Sequence, residues 1–346
     1  MNVPHEFSCV FGARVLDQFC VLLIPFAFCS SPAMFSPNKI VAWKSPAAGG
    51  AVVDVLQSSS NLLQYLLNEE SSNEGRRPPS SHRKLLVFFP GNPGVVQFYE
   101  PFCAFLETNK MDVLVMGYAG HSLTELNEGR VFSLADQVDV AESFLVTLLN
   151  KNTERKYNGN IYVAGHSIGG FVALQMVARY SVIKKCFGLC PVISRMSDSP
   201  NGRRFFYLRS AVVQWCLSLV AALLALLPYK LRLLITTSEP KLSRALAETL
   251  ARHFHRWCLT NCLYMAMTEL RMLLQPDAVL LRSVQERLVF YYVRKDGWVP
   301  LSFAEEIRGV CPQLGAYVVE DDAGVPHAWC LDHSETVARN AILKYC

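Results

Sequence analysis

The sequence predicts an α/β protein: a mostly parallel sheet covered by helices on both faces, with a helical cap inserted between the fourth and fifth regular strands. Three observations carry that expectation. Apolar runs of strand length, such as KLLVFFPG at 84–91, lack polar alternation and so suit strands buried on both faces. Stretches of helical length alternate with those runs. A long interval, from 193 to 286, breaks the alternation once, and it holds apolar helical segments.

The elements follow in order. Segments 38–43 and 50–56 carry short β-type runs. NEESSNEGRRPPSSHR (68–83) is rich in Ser, Pro, Glu and Arg and reads as a solvated loop or linker. The regular pattern then starts at 84. A helix is expected over 97–109, a strand over 111–118 (MDVLVMGY) and a helix over 133–151. IYVAG (161–165) is the third strand and leads into a helix from Gly169 to Tyr180. CFGLCPV (186–192), RLVFYYV (287–293) and AYVVE (316–320) complete the strands, and a last helix runs from 333 to the end. Helices over 211–227, 240–257 and 259–274 fill the interval, giving a cap or lipid-contact insertion over about 195–285. Residues 38–346 thus form one domain.

Residues 1–37 read differently. FCVLLIPFAF (19–28) follows Arg14 and precedes small residues, so it resembles the core of a signal peptide but is short for a bilayer span. The other reading is a poorly ordered leader upstream of a start at Met34.

Composition narrows the function. Hydrophobic residues make up 51% of the 346 and charged residues 18%, more apolar than an average soluble domain, which points toward lipid surfaces. The net charge of +4 is small and scattered, and no nucleic-acid-binding motif occurs, so a nucleic-acid partner is not expected. The 12 cysteines show no C-x-x-C pair and imply a mostly reduced chain. His253, His255, Cys258 and Cys262 fit no standard zinc spacing; an amphipathic helix is the expectation there, and no metal is predicted.

The tetrapeptide AGHS occurs twice, ending at Ser122 and at Ser167. Only the second completes G-x-S-x-G, with Gly165 and Gly169 two residues either side of the serine. A serine hydroxyl attacks only when a base takes its proton and a sharp strand–helix turn holds its oxygen out. Side chains at the flanking positions would collide with that turn. Ser122 is followed by Thr124 and lacks half of this geometry, so Ser167 is the candidate nucleophile.

Such a nucleophile needs donors for a developing oxyanion. The backbone N–H of Ile168 is one. PGNPG (90–94) directly follows a strand, and Gly91 and its neighbours shape a loop from which the Asn92 N–H can point inward. The base and acid should follow in the order Asp, then His. His327, in GVPHAW after the sixth strand, and Asp296, in VRKDGWVP after the fifth, both fall on loops at the carboxyl edge with Ser167. Asp198 is the rival acid, Asp321 and Asp322 less favoured ones, and His166 and His333 are read as structural or exposed. These groups need no cofactor.

PGNPGVVQFYEPF, GHSIGG, RMSDSPNGR, YYVRKDGWVP and VPHAW together resemble the lipid droplet-associated hydrolases of the α/β-hydrolase superfamily. The resemblance spans most of 84–345 and keeps the motif order, RMSDSPNGR being its most specific part. It implies an α/β-hydrolase fold and a serine esterase acting on neutral lipids, sterol esters or triacylglycerols, at lipid droplets and the cytosolic face of the endoplasmic reticulum. By motif match, Ser167, Asp296 and His327 carry over as the triad. The rival reading is a weakly active or inactive droplet-binding protein, and acyl transfer to an alcohol is a third.

SAVVQWCLSLVAALLALLPY (210–229) contains no charged residue. A single bilayer crossing would place two strands of one sheet on opposite sides, and basic residues flank both ends (Arg203, Arg204 and Arg209; Lys230 and Arg232). The segment is therefore expected to be a hairpin-like or surface-lying apolar element at a lipid surface, the alternative being a cap helix buried on the hydrolase core. Trp215, Leu217, Leu219, Leu223, Leu224, Leu226 and Leu227 are the expected lipid contacts.

Overall fold

A computed structural model describes residues 39–68, 83–122, 127, 129–238, 244–253, 255–320 and 324–346. The expected leader at 1–37 and nearly all of the polar linker at 68–83 lie outside the described residues.

Among the described residues, eight strands form one sheet: β1 (Ile40–Lys44), β2 (Val52–Gln57), β3 (Lys84–Phe89), β4 (Met111–Met116), β5 (Ile161–His166), β6 (Lys185–Leu189), β7 (Leu288–Val293) and β8 (Ala316–Glu320). Their order is β1-β2-β4-β3-β5-β6-β7-β8. β1, β2 and β4 pair antiparallel, and every other pairing is parallel.

The helices, in chain order, are α1 (Leu62–Leu67), α2 (Glu100–Thr108), α3 (Leu134–Leu149), α4 (Ile168–Arg179), α5 (Ala211–Ala225), α6 (Tyr229–Thr237), α7 (Arg244–His253), α8 (Arg256–Met272), α9 (Ala278–Val284) and α10 (Leu301–Val310). Single helical turns lie between some of them. Pro101 sits in the first turn of α2, where a missing N–H costs nothing, and a 3₁₀ turn over Val96–Tyr99 leads into it. A capping box starts α3: Ser133 Oγ accepts the Asp136 N–H while the Asp136 carboxylate accepts the Ser133 N–H.

The apolar runs are explained by the two cores. Leu85, Val87 and Phe89 of β3 join a cluster on one face of the sheet, with Phe144 of α3 and Val172 of α4. Leu86 and Phe88 join a second cluster on the other face, with Phe102 of α2 and Trp329. A strand that feeds two cores has no solvent side on which to alternate.

Among the described residues, the insertion between β6 and β7 contains five helices, α5 to α9, rather than the expected three. Pro228 lacks an N–H and ends the run that sequence periodicity extends to 227. α5 and α6 meet there at a bend of 116°, and among the described residues no single helix is long and apolar enough to cross a membrane. α8 is tied to loops at the carboxyl edge of the sheet. Asn261 accepts the Phe132 N–H at 3.0 Å and donates to the Arg130 carbonyl at 3.0 Å, and Thr268 accepts the Leu134 N–H at 3.0 Å. The expected last helix is an α-turn over Ser334–Val337 continued by a π-helical turn over Ala338–Ile342 and a 3₁₀ turn over Leu343–Tyr345.

Candidate active site

β5 passes into α4 through one residue, Ser167, whose φ of 53° and ψ of −122° lie where side chains are strained. The glycines beside it are required by contact. A Cβ on Gly165 would stand 1.9 Å from the Gly169 carbonyl oxygen, and one on Gly169 would stand 2.0 Å from the Phe89 carbonyl oxygen. The Ser167 N–H is held by the Leu189 carbonyl at 3.0 Å, which ties the turn to the neighbouring strand.

His327 and Asp296 come to this turn from loops after β8 and β7. His327 Nε2 lies 3.0 Å from Ser167 Oγ, and His327 Nδ1 lies 2.6 Å from Asp296 Oδ2. A carboxylate only accepts, so Nδ1 carries the proton and Nε2 presents its lone pair to the serine. The acid is itself fixed: Asp296 Oδ1 accepts the N–H groups of Trp298 at 2.7 Å and Val299 at 2.9 Å. Burial would push the Asp296 carboxyl up. His327 and the two N–H groups outweigh it and hold the carboxyl below its usual range.

The loop after β3 borders the serine. A Cβ on Gly91 would meet Ser167 Cβ at 3.1 Å, so this glycine permits the close approach. The Gly91 N–H is already donated to Tyr99 Oη at 2.9 Å, which leaves Asn92 as the loop's next donor. Ile168 is the first residue of α4, where N–H groups have no intrahelical acceptor. The Asn92 side chain turns to the insertion, donating to the Cys262 carbonyl at 2.9 Å and to Glu269 Oε1 at 3.2 Å.

His166 has a structural part, as its reading from sequence expects, and the part is specific. Its Nε2 donates to the His327 carbonyl at 2.8 Å, and its Nδ1 accepts the Tyr99 hydroxyl at 2.7 Å. Burial, reinforced by His327, lowers its pKa to about 3, so the ring is neutral.

Among the described residues, one group of three possible metal donors converges: Cys190, Asp296 and His327, with ligand atoms within 4.8 Å of one another. Two of them are already bonded to each other at 2.6 Å, so an ion would have to separate them. Burial and the nearby Asp296 charge raise the Cys190 thiol well above its usual range, which suits a neutral neighbour of the acid.

The other candidates fall elsewhere. Ser122 is buried and donates to Asp54. Asp198 pairs with Arg195 at 3.3 Å with its side chain half-exposed. Asp321 and Asp322 lie outside the described residues, and His333 precedes the turn at Ser334 without a side-chain bond to it. RMSDSPNGR buttresses the acid loop: Ser199 Oγ accepts the Gly202 N–H at 2.9 Å, and the Asn201 N–H donates to the carbonyl of Gly297, the residue after Asp296, at 2.9 Å. Sequence reasoning did not single out Tyr99, Cys190 or Glu269. The Q-F-Y spacing after PGNPG was the available signal for Tyr99, but its partner lies 67 residues away.

Of the expected lipid contacts, Trp215, Leu219, Leu223 and Leu226 are exposed large apolar side chains. Leu224 and Leu227 are half-buried. Leu217 is half-buried as well, and helical periodicity turns it toward Phe205, Ala221, Leu259 and Leu263.

Known proteins resemble the chain in sequence and in fold. Residues 82–330 match the family model described as lipid-droplet associated hydrolase. A lipid droplet-associated hydrolase of Mus musculus is 27% identical over 287 residues, covering 74% of this chain and 82% of its own. One of Dictyostelium discoideum is 26% identical over 280 residues, covering 73% and 84%. Among solved structures, 2-hydroxy-6-oxo-6-phenylhexa-2,4-dienoate hydrolase from a Rhodococcus species superposes with a TM-score of 0.55 at 16% identity, over 87% of this chain and 96% of its own; it shares the α/β-hydrolase fold. With the family model spanning most of the sequence and the fold in agreement, the chain belongs to the lipid-droplet associated hydrolase family.

Proposed function

We propose that this protein is a serine hydrolase of neutral lipid esters, with sterol esters and triacylglycerols as the candidate substrates, working at lipid droplets and the cytosolic face of the endoplasmic reticulum. One observation carries the reading: the continuous relay Ser167 Oγ–His327–Asp296, with contacts of 3.0 and 2.6 Å, at a strained strand–helix turn. The names of the curated relatives support the lipid and the droplet.

In this reading His327 Nε2 takes the Ser167 hydroxyl proton as Oγ attacks the ester carbonyl carbon. The negative oxygen gathers the N–H groups of Ile168 and Asn92. Collapse breaks the ester C–O bond, and the alcohol leaves with the proton from His327. Water then repeats the sequence: His327 takes one of its protons, the oxygen attacks the acyl carbon, and Ser167 departs with the proton restored. Asp296 keeps the His327 tautomer and stabilises the imidazolium in both halves.

The outward face of α5 supplies the surface contact. Trp215, Leu219, Leu223 and Leu226 are 65%, 47%, 57% and 79% exposed, and the bend into α6 lets the chain enter and leave a lipid monolayer on one side.

The test is labelling by a fluorophosphonate probe, with hydrolysis of emulsified sterol esters and triacylglycerols in parallel. Wild type should label and hydrolyse, and Ser167→Ala should do neither while still reaching droplets. Labelling that persists in Ser167→Ala removes the nucleophile assignment. Droplet effects that survive Ser167→Ala but not removal of the α5 apolar face favour a binding protein instead.

A further inference from the structure

The loop over 90–94 is fixed on several sides, and one of its supports is an acid that the proposed chemistry does not use. Tyr118 Oη donates to the Pro90 carbonyl at 2.6 Å, the Gly91 N–H donates to Tyr99 Oη at 2.9 Å, and His121 Nδ1 donates to the Pro93 carbonyl at 2.7 Å. Asn92 is held by its side chain. Its Nδ2 donates to the Cys262 carbonyl at 2.9 Å, which can only accept and so fixes which way the amide points. The same Nδ2 donates to Glu269 Oε1 at 3.2 Å. Both hydrogens of the amide are thus taken up by α8, at two residues that lie two turns apart on one face of the helix.

Glu269 is 2% exposed, and among the described residues no cation offsets its charge. Burial, opposed only by the bond from Asn92, raises its carboxyl to about 7. The ionisable groups that face it are Tyr118 and Cys262, and burial holds both well above their usual ranges, so both stay neutral. The remaining supports of the loop keep one charge state as well: burial raises the Tyr99 hydroxyl and lowers His121 to about 4. Around pH 7, then, Glu269 is the support whose charge changes. A carboxyl accepts from Asn92 in either state, through its carbonyl oxygen when neutral. Ionisation therefore keeps the bond and adds a full negative charge in a dry place.

We infer that Glu269 is a positioning residue of the oxyanion site: from α8 it holds Asn92 in place by the side-chain amide, and turnover requires its carboxyl to be uncharged. The inference rests on the serine-hydrolase reading above, in which the Asn92 N–H receives the negative oxygen. Asn92 then links that oxygen, at its main chain, to the carboxyl, at its side chain. A neutral acid leaves the donor to the oxyanion. A carboxylate behind the same residue repels the charge that the transition state gathers, and the low local polarity strengthens the repulsion. Glu269 acts through Asn92 and touches no reacting atom, and it gives the insertion a part in the chemistry.

Kinetics of the full-length protein on a soluble activated ester, p-nitrophenyl butyrate, test both halves of the inference. The ratio of Glu269→Gln to wild-type kcat/KM cancels every titrating group that the two proteins share, His327 included. It should climb about 5- to 50-fold between pH 5.5 and 8.5, with its midpoint near 7, because Gln accepts from Asn92 and cannot ionise. Glu269→Met removes the acceptor without leaving a charge. Its kcat at pH 6 should fall about 10-fold with KM little changed, and Gln at the same position should restore most of that loss. A flat ratio, or a Glu269→Met protein as active as Glu269→Gln at pH 6, overturns the inference. So does a wild-type fall above pH 7 that tracks loss of folded protein by circular dichroism, which would leave Glu269 a stability group alone. Fluorophosphonate labelling separates the two readings. Wild type that does not label removes the hydrolase reading and this inference with it, whereas labelling together with a flat ratio removes this inference alone.

Discussion

His166 Nε2 donates to the backbone carbonyl of His327 at 2.8 Å, so the residue before the elbow serine holds the main chain of the candidate base. A carbonyl cannot donate, which fixes the His166 tautomer and makes Nδ1 the acceptor of the Tyr99 hydroxyl at 2.7 Å. The Tyr99 oxygen accepts the Gly91 N–H at 2.9 Å in turn. One buried chain of hydrogen bonds therefore runs from the loop beside Ser167, through the elbow, to the loop that carries His327.

Tyr99→Phe tests that chain. The ring keeps its contacts with Phe88 and Trp329, but the Gly91 N–H and His166 Nδ1 lose their shared partner. Two buried polar groups left unpaired cost on the order of 1–3 kcal/mol each, less whatever water recovers. The larger effect is on alignment: kcat on an activated ester should fall about 10- to 100-fold with KM little changed, because displacements well under a bond length are felt at the reacting atoms. Equal kcat in the two proteins would mean that the chain is packing alone.

Glu269 gives a pH dependence of stability. It lies on α8, 2% exposed, and burial, partly offset by the bond from Asn92, raises its carboxyl to about 7 from 4.5. The folded value is above the unfolded one, so its contribution is whole below pH 4.5, is lost as pH rises toward about 7, and is flat beyond. The full span is about 3 kcal/mol. E269Q removes the ionisation, so urea unfolding at pH 5, 6, 7 and 8 should show this variant gaining on wild type with each step up to 7. Parallel curves would place the carboxyl's titration elsewhere.

His166 works in the opposite direction. Its folded pKa of about 3 lies below the ordinary 6.5. The neutral ring therefore contributes stability that is present above pH 6.5 and lost as pH falls toward 3. Acid unfolding followed by tryptophan fluorescence should have its upper limb between pH 6.5 and 4, and His166→Gln should flatten that limb. A limb of equal steepness in the variant would assign acid lability to other groups.

Two glycines offer a contrast in backbone demand. Gly165→Ala would drive a Cβ to 1.9 Å from main-chain oxygen, which no rotamer change relieves, and folded protein should be lost. Gly309 lies exposed in α10 and an added Cβ there meets nothing within 4 Å. Gly309→Ala should stabilise by about 0.5–1 kcal/mol through the unfolded chain's lost freedom, read as a rise in the urea midpoint.

That contrast also explains which parts of the site can be read from sequence. Ser167 is legible because contact forces glycine at both flanking positions, and such constraints leave a mark in the letters. His327 and Asp296 are legible by order, because parallel strands deliver the loops that follow them to one edge. The helix order fails where one residue acts through space: Pro228 turns the chain by 116° inside an apolar run that otherwise continues. α9 and α10 are amphipathic but were not separated from their surroundings by any motif. The partners of Tyr99 and His166 are invisible for another reason. The position before the serine in G-x-S-x-G is free within the motif, and only the fold brings His166 to the His327 carbonyl.

In the proposed function the two sides of α5 divide surface binding from folding. Trp215, Leu219, Leu223 and Leu226 recur at helical spacing on one stripe and are exposed. Leu217 lies on the opposite side, packed with Phe205, Ala221, Leu259 and Leu263. Replacing the four outer residues with Ser should leave the urea midpoint and probe labelling of Ser167 unchanged, because none of them contributes to a core. It should release the protein from floated droplets, since each large side chain withdrawn from lipid forfeits about 1.5–3 kcal/mol of transfer energy when fully buried. Leu217→Ser should do the reverse: about 2–4 kcal/mol of stability lost, with the folded fraction still bound to droplets. If instead the outer stripe proved necessary for stability and irrelevant to flotation, α5 would be a face for another protein surface, and the route by which this hydrolase reaches lipid would lie in a different part of the chain.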